Sequence, residues 1–188
     1  MARESMSQAL LLSQGTDVQT MAALVSARMR DEKRAHTLAQ KLDAEHPANT
    51  ILQGYWLPTI RGEMDLQRGD WSKAVEDLNP AANLELAIPS ALSTASLYPA
   101  YVRGQAYLAG GDGKNAAAEF QKLIDHSGLT LNSALGPLAR LGRARAFARM
   151  GDPANAKAAY QDFFQLWQNP DPNIPVVQQA RNEYTKLH

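Results

Sequence analysis

The sequence predicts an all-α fold in which antiparallel helix pairs stack into a solenoid. Ala, Leu, Gln, Arg and Glu dominate its 188 residues, and these residues favour helix. Small and apolar side chains recur three and four positions apart, as a buried helical face requires. One local pattern also returns about every 40 residues, with turn glycines at Gly69, Gly111 and Gly151. Repeats of this length are typical of stacked helix pairs, which usually bind partners rather than catalyse reactions.

An opening helix, about four helix pairs and a capping helix are expected from the distribution of Gly, Pro and Asp. Gly15 should end the opening helix, and Asp17 is expected to cap the helix that follows. The chain is therefore interpreted as one repeat domain covering residues 1–188. Because its start reads as the middle of a helix, we expect it to be a fragment of a longer chain. The predicted elements are an opening helix at 3–13, pairs at 18–47, 50–80, 98–126 and 137–169, and a cap at 175–187.

Each turn inside the last three pairs is predicted from a Gly–Asp dipeptide, at 69–70, 111–112 and 151–152. Glycine adopts the left-handed conformation that ends many helices. The Asp that follows can accept hydrogen bonds from the free amides of the next helix. Prolines suit the first turn of a helix, where no amide partner is lost. They are expected there at Pro99, Pro137, Pro153 and Pro175.

The repeated pattern has a small residue, an aromatic residue three positions on, an Ala twelve on and an aromatic residue sixteen on. Small residues let two helices approach closely, and the aromatic rings fill the space between them. Asp65 replaces the first aromatic residue of the second pair. The pattern resembles the tetratricopeptide repeat, whose standard length is about 34 residues, so two long loops should hold the excess. The matching residues are Gly62 and Ala74; Gly104, Tyr107, Ala116 and Phe120; and Ala144, Phe147, Ala156 and Tyr160.

Three segments also resemble the C-terminal repeat region of eukaryotic-type serine/threonine protein kinases from acidobacteria. They are YWLPTIR at 55–61, LYPAYVRGQAY at 97–107 and AYQDF at 159–163. The resemblance implies a sensor or docking region attached to a signalling kinase, on the far side of the membrane from the kinase domain; without that link the domain would be cytoplasmic. The chain itself has no Gly-rich nucleotide loop, His-Arg-Asp loop or Asp-Phe-Gly sequence, so it is not expected to be an enzyme.

Composition excludes several other classes of function. The 19 basic and 19 acidic residues cancel, which argues against nucleic-acid binding. There is no Cys for a disulfide or thiolate zinc site, and no run of about 18 apolar residues for membrane insertion. The four His residues are not at metal-ligand spacing. Residues 110–115 follow a helix and carry Asn115 where a phosphate loop needs Ser or Thr, so they are interpreted as a turn. No catalytic residue, metal or cofactor is predicted.

The first helix of each pair is expected to line a concave groove that binds a protein or peptide. Aromatic residues and Arg are the side chains that dominate binding hot spots. The alternative is that Trp56 and Tyr98 simply pack against the long loops. The candidate binding residues are Trp56, Glu63, Tyr98, Tyr101, Gln105, Arg145 and Arg149, accompanied by Thr59, Leu66, Leu108, Leu138 and Leu141.

Charge is unevenly distributed along the chain. Residues 51–97 carry three basic and six acidic groups, whereas residues 98–150 carry seven basic and three acidic groups. The clustered arginines include Arg140, Arg143, Arg145 and Arg149. One hypothesis is a basic end of the groove, where Arg145 and Arg149 bind a small acidic ligand or peptide carboxylate. The alternative is that these arginines simply lie on a solvent-exposed helix face. Self-association into a homo-oligomer is a further hypothesis for the array as a whole.

Three arginines recur one residue before the small residue of the pattern: Arg61, Arg103 and Arg143. We interpret them as structural, each laying its aliphatic stem on a neighbouring helix and meeting a carbonyl or carboxylate group. Trp71 and Trp167 are expected in the core, with Trp71 packed on the preceding repeat and Trp167 under the last helix. That last helix is polar enough to cap a solenoid.

Overall fold

The computed structural model describes residues 2–87, 96–166 and 174–187, and every regular element in these ranges is helical. The predicted all-α helical-repeat fold is confirmed. The predicted Trp167 contact and the centre of the first long loop lie outside the described residues. The α-helices are α1 Ala2–Leu12, α2 Thr16–Arg28, α3 Glu32–Glu45, α4 Leu57–Arg68, α5 Trp71–Leu78, α6 Tyr98–Ala109, α7 Gly113–Asp125, α8 Ser127–Thr130, α9 Leu135–Arg149, α10 Pro153–Gln165 and α11 Pro175–Tyr184.

The helices pair as α2/α3, α4/α5, α6/α7 and α9/α10. Each first helix contacts the first helix of the next pair, so α2, α4, α6 and α9 form one continuous side of the array. Each second helix also contacts the next first helix, in the order α3 with α4, α5 with α6, and α7 with α9. Three buried apolar clusters follow this order along the chain. The core is thus distributed between neighbouring pairs, as in other helical repeats.

The turns inside the pairs form as the Gly–Asp dipeptides predict. Gly69, Gly111 and Gly151 have φ values of 87°, 82° and 73°, in the left-handed region. In each pair the next Asp side chain accepts a hydrogen bond from the backbone amide three residues on, as Asp112 does from Asn115 at 3.0 Å. The prediction that Asp17 caps α2 is wrong, because Asp17 lies inside that helix and Gly15 occupies the cap position.

The small residues of the repeat allow the predicted close approaches. A Cβ atom placed on Gly62 would lie 2.7 Å from Leu78, and one on Gly104 would lie 2.9 Å from the Phe120 ring. Gly142 approaches the same ring from α9, where a Cβ atom would lie 2.5 Å away. Ala74, Ala116, Ala144 and Ala156 are fully buried, Phe120 and Tyr160 are buried, and Tyr107 and Phe147 pack at the edges of the clusters.

Helix α4 continues from a π-helical turn at Leu52–Trp56 that the sequence analysis did not predict. Pro58 has no amide hydrogen to donate, and its ring crowds the carbonyl four residues earlier. The chain accommodates it by widening the preceding turn, so that the Leu57 amide donates to the Leu52 carbonyl, five residues back. Asn49 starts this stretch, since its side chain accepts from the Leu52 amide at 3.0 Å. The signal was Pro58 inside an otherwise helical pattern.

The connections after α5 and α7 hold the extra length of the long repeats and contact each other. The Ser96 amide donates to the Leu129 carbonyl at 3.1 Å. Glu85, in the first connection, is buried and accepts from Arg103 of α6 at 2.7 Å. Arg103 also binds Glu119 of α7 at 2.7 Å. The first long connection is therefore fastened by ion pairs to the third helix pair.

Trp71 does not lie in the core. The side chain is 42 % exposed, and its ring covers Gly110, where an added Cβ atom would lie 2.6 Å from the ring. Gly110 ends α6, so Trp71 packs on the following pair. The prediction of a core position is wrong, because a position at the start of a second helix faces the turn of the next repeat.

Candidate functional site

The candidate site is the first-helix face, meaning the side of the array formed by α2, α4, α6 and α9. Near its centre the structure brings together Glu63 of α4 and Tyr101 of α6, two of the predicted residues. Arg28 of α2 joins them, with its Nη1 atom 3.5 Å from the Glu63 carboxylate and its guanidinium 5.5 Å from the centre of the Tyr101 ring. The sequence analysis missed Arg28, because the first pair lacks most of the repeat pattern that located the other positions.

Hydrogen bonds extend this centre along α4 and α6. Gln67 donates to Glu63 at 2.8 Å, and Gln105 donates to the Tyr101 hydroxyl at 3.2 Å. Burial raises the pKa of the Tyr101 hydroxyl, and the nearby Arg28 opposes that rise. Oε1 of Gln105 is buried and receives no hydrogen bond within the described part of the chain, whereas Oε2 of Glu63, also without a hydrogen bond there, lies 3.5 Å from Nη1 of Arg28. Unmet acceptors of this kind are rare and costly in protein interiors.

The aromatic candidates lie towards α4 and the start of α6. Trp56 is only 4 % exposed; its ring centre is 4.8 Å from that of Tyr55 and 5.9 Å from that of Tyr98. The Tyr98 amide donates to the Tyr55 hydroxyl at 3.2 Å. The burial of Trp56 leaves little of its ring for a ligand, so its geometry is that of the packing alternative. Tyr98 is partly buried and keeps some exposed surface.

Arg145 of α9 grips a carboxylate with two parallel hydrogen bonds, and that carboxylate belongs to Glu183 of α11. The Nε and Nη2 atoms of Arg145 lie 2.8 and 3.0 Å from the two Glu183 oxygens. The Tyr160 hydroxyl donates to the same group at 2.9 Å. Burial and the Glu183 charge together raise the pKa of Tyr160. The predicted two-pronged grip therefore exists, but within the chain.

The other arginines of α9 point to different neighbours. Arg140 donates to the Gly136 carbonyl at 3.3 Å, and Arg143 pairs with Asp162 at 2.8 Å. Arg149 is exposed, lies against the backbone of Gly111 and forms no ion pair with any described residue. Of the two arginines predicted to bind an acidic ligand, Arg145 is thus paired within the chain and Arg149 is exposed.

The predicted carboxylate contacts of the three repeated arginines are present. Arg61 pairs with Asp43 at 2.7 Å in a half-exposed contact. Arg103 lies between the carboxylates of the buried Glu85 and the partly exposed Glu119, and Lys122 also contacts both. Arg143 has its contact with Asp162. Each of the three therefore meets a carboxylate of a neighbouring segment.

The chemistry available on this face is hydrogen bonding, ion pairing and apolar contact. In the described ranges, no group of three or more His, Asp or Glu side chains is arranged to hold a metal ion. The helices in those ranges are also too short or too polar to cross a membrane. The remaining predicted face residues fall into two sets: Thr59 and Leu141 are buried, and Leu66, Leu108 and Leu138 are partly exposed.

Residues 138–169, most of the fourth helix pair, match the family model of the tetratricopeptide repeat. No curated protein and no solved structure matches the chain. Together with the stacked helix pairs, the family match supports a tetratricopeptide repeat protein, a class that generally mediates protein–protein interaction and is typically non-catalytic.

Proposed function

We propose that the chain is a non-catalytic module that binds a protein or peptide along its first-helix face. The observation that carries the proposal is a row of polar side chains crossing all four first helices, from Arg28 through Glu63 and Tyr101 to Arg145. Buried polar groups cost stability that apolar residues would not. A binding role for this side of the array would account for keeping the buried Glu63 and its partner Arg28 there.

Unmet hydrogen-bonding capacity supports a peptide ligand. Gln105 is partly exposed, so a rotation of its amide would present the unpaired oxygen to a backbone amide of the ligand. Leu66, Leu108 and Leu138 offer partly exposed apolar surface on the same helices. Such a mixture of apolar lining and a few placed polar groups is characteristic of ligand sites.

The resemblance to acidobacterial kinase repeat regions supports a narrower proposal. In it, the module is the sensor or scaffold of a signalling kinase, held outside the cytoplasm by a membrane segment of the parent protein. The support is the likeness of residues 55–61, 97–107 and 159–163. Reading the coding sequence upstream of residue 1 tests it. A kinase catalytic loop in the same frame would support the proposal, whereas a stop codon there would remove it.

Affinity capture from cell extract tests the binding proposal. The bait is the immobilised chain, compared with a Gln105→Ala/Arg149→Ala variant altered on the first-helix face. A Lys114→Ala/Lys157→Ala variant is the matched control, since both lysines are exposed on second helices and the number of truncated side chains is equal. All three proteins should give the same circular dichroism spectrum and similar melting temperatures, because none of the four side chains is buried.

The expected result is a protein retained by the wild type and by the lysine variant and lost from the first-helix variant. Equal retention by all three would contradict the proposal. The two alternative hypotheses have distinct signatures. Self-association would give twice the monomer mass by light scattering at micromolar concentration. A small acidic ligand would raise the melting temperature of the chain in the absence of any protein partner.

A further inference from the structure

The carboxylate of Glu183, on α11, is bonded to α9 and α10 beside the first-helix face. It accepts two hydrogen bonds from Arg145 and a third from the Tyr160 hydroxyl, all between 2.8 and 3.0 Å. The side chains of Arg145 and Glu183 are 29 % and 27 % exposed, so the contact lies at the surface and not in the core. A planar guanidinium with a hydroxyl beside it is a specific receptor for a carboxylate.

Glu183 also continues the repeat. Glu63, Gln105 and Arg145 each follow the small residue of their first helix, at spacings of 42 and 40 residues, and Glu183 follows Arg145 by 38. The same position on successive first helices lies along one side of the array, because those helices stack directly. Helix α11 contacts α10, as a first helix contacts the preceding second helix, and its Glu183 side chain reaches Arg145 of α9. Its Glu183 side chain falls at the end of the row formed by the other three.

The rest of α11 is attached by modest apolar contacts. Val177 and Ala180 are its two buried apolar residues, and both join the cluster formed by α9 and α10. Val176 and Tyr184 pack on that cluster with part of their surface exposed. The helix has ten residues, and residues 166–174 of the sequence separate it from α10. Elements with few buried contacts are the first to open locally.

We propose that α11 is an intramolecular competitor: Glu183 occupies a carboxylate site made by Arg145 and Tyr160, and an acidic peptide gains that site by displacing it. The proposal rests on the proposed function and deepens it. It specifies that the peptide is acidic and that α11 regulates binding to the first-helix face. With α11 in place, Arg145 is neutralised and the face favours uncharged peptide. With α11 displaced, the same face presents a cation for an acidic side chain.

The probe is a fluorescent peptide of alternating Glu and Ala, acetylated and amidated so that only side-chain carboxylates are present. A second peptide with Gln in place of Glu measures the contribution of charge. A third peptide with a free C-terminus tests whether the terminal carboxylate can supply the group that binds Arg145.

Binding is measured by fluorescence anisotropy at low salt, because exposed ion pairs weaken as salt rises. The proteins are the wild type, Glu183→Gln, Arg145→Gln/Glu183→Gln and Asp162→Asn. Asp162→Asn is the matched control, since it frees Arg143 on the same helix α9.

Removing the competitor should tighten binding of the Glu peptide by about tenfold, within the usual range of coupling between two sites. The gain should vanish in Arg145→Gln/Glu183→Gln, should not appear in Asp162→Asn and should not extend to the Gln peptide. Equal affinities of the wild type and Glu183→Gln for the Glu peptide would overturn the proposal. So would a gain of the same size in Asp162→Asn.

Hydrogen exchange on the wild type gives a second test that needs no substitution. Saturating Glu peptide should speed exchange of the α11 amides while slowing exchange on α4 and α6. Unchanged or slower exchange in α11 would contradict displacement. Failure here remains separable from failure of the proposed function. If the capture experiment still finds a partner that depends on Gln105 and Arg149, the first-helix face binds its partner and only the competition by Glu183 is wrong.

Discussion

Phe120 is held between two glycines, and this contact allows a quantitative prediction. Its ring is 1 % exposed and lies between Gly104 of α6 and Gly142 of α9. A Cβ atom on Gly142 would lie 2.5 Å from the ring, and one on Gly104 would lie 2.9 Å from it. The ring cannot retreat from α9, because α6 already approaches it from the other side. We therefore expect Gly142→Ala to destabilise the fold although alanine favours helix.

Two opposing effects set the magnitude. Alanine in place of a helical glycine should add about 1 kcal/mol of stability. Overpacking a filled core costs about 1–3 kcal/mol, and a contact near 2.5 Å belongs at the upper end of that range. The net loss for Gly142→Ala is then about 2 kcal/mol, which corresponds to a melting temperature lower by about 4–8 °C for a chain of this size. Gly104→Ala should lose less, since its contact is longer.

Urea and thermal unfolding followed by circular dichroism measure these changes. Gly128→Ala is the control, because an added Cβ atom meets nothing within 4 Å there. It should be neutral or up to about 1 kcal/mol more stable. A double-mutant cycle with Phe120→Leu isolates the contact, and once the ring is gone Gly142→Ala should add up to about 1 kcal/mol of stability. A Gly142→Ala protein as stable as the wild type, or an equal cost in the Phe120→Leu background, would refute the packing argument.

Two further predictions concern buried charge. Arg103→Leu leaves Lys122 as the remaining cation beside the buried Glu85 and the partly exposed Glu119, so unfolding should need about 3 kcal/mol less. Arg61→Leu, at a half-exposed pair, should cost under about 1 kcal/mol, and equal urea midpoints for the two variants would contradict this. Burial raises the pKa of the Asp65 carboxyl, and so does the hydrogen bond that its protonated form donates to Asp77. Folding therefore favours the protonated form, and the stabilisation from this carboxyl is lost as the pH rises through its folded-state pKa. Asp65→Asn should therefore melt above the wild type at pH 7, with a difference that shrinks towards about pH 4, and a difference independent of pH would exclude the mechanism.

Local features of the fold could be predicted from the sequence because their causes are local. A glycine with positive φ followed by Asp fixes the turn at 111–112 whatever surrounds it, since Asp112 caps the helix that begins next to it. Helix boundaries followed from such dipeptides and from prolines in first turns, such as Pro153. Spacing alone also placed Arg61, Arg103 and Arg143 next to neighbouring helices, where a buried or half-buried cation needs an anion.

Features that depend on distant parts of the chain were harder to predict. Trp71 reads as core by its size, but its position faces the Gly110 turn of the next pair and leaves the ring half exposed. Arg28 lies in the first pair, which lacks most of the repeat pattern, so the sequence did not predict that it contacts Glu63 at the centre of the first-helix face. The Glu183 contact had a usable signal in the 42-, 40- and 38-residue spacing of its row, but a capping helix was not expected to continue the repeat.

The charge of the first-helix face shows why composition is a weak guide to ligand preference here. Residues 98–150 carry a surplus of four positive charges, which suggests a basic groove. In the structure, Arg143 is neutralised by Asp162 and Arg145 by Glu183, so Arg149 at the rim is left with its charge unmatched among the described residues. Two of these charges are thus balanced by residues beyond 150, one of them on a helix with few buried contacts. The preference of the face for acidic or neutral ligands therefore depends on whether α11 is docked. A ligand that displaces α11 must gain from its contact with Arg145 at least the free energy that undocking costs.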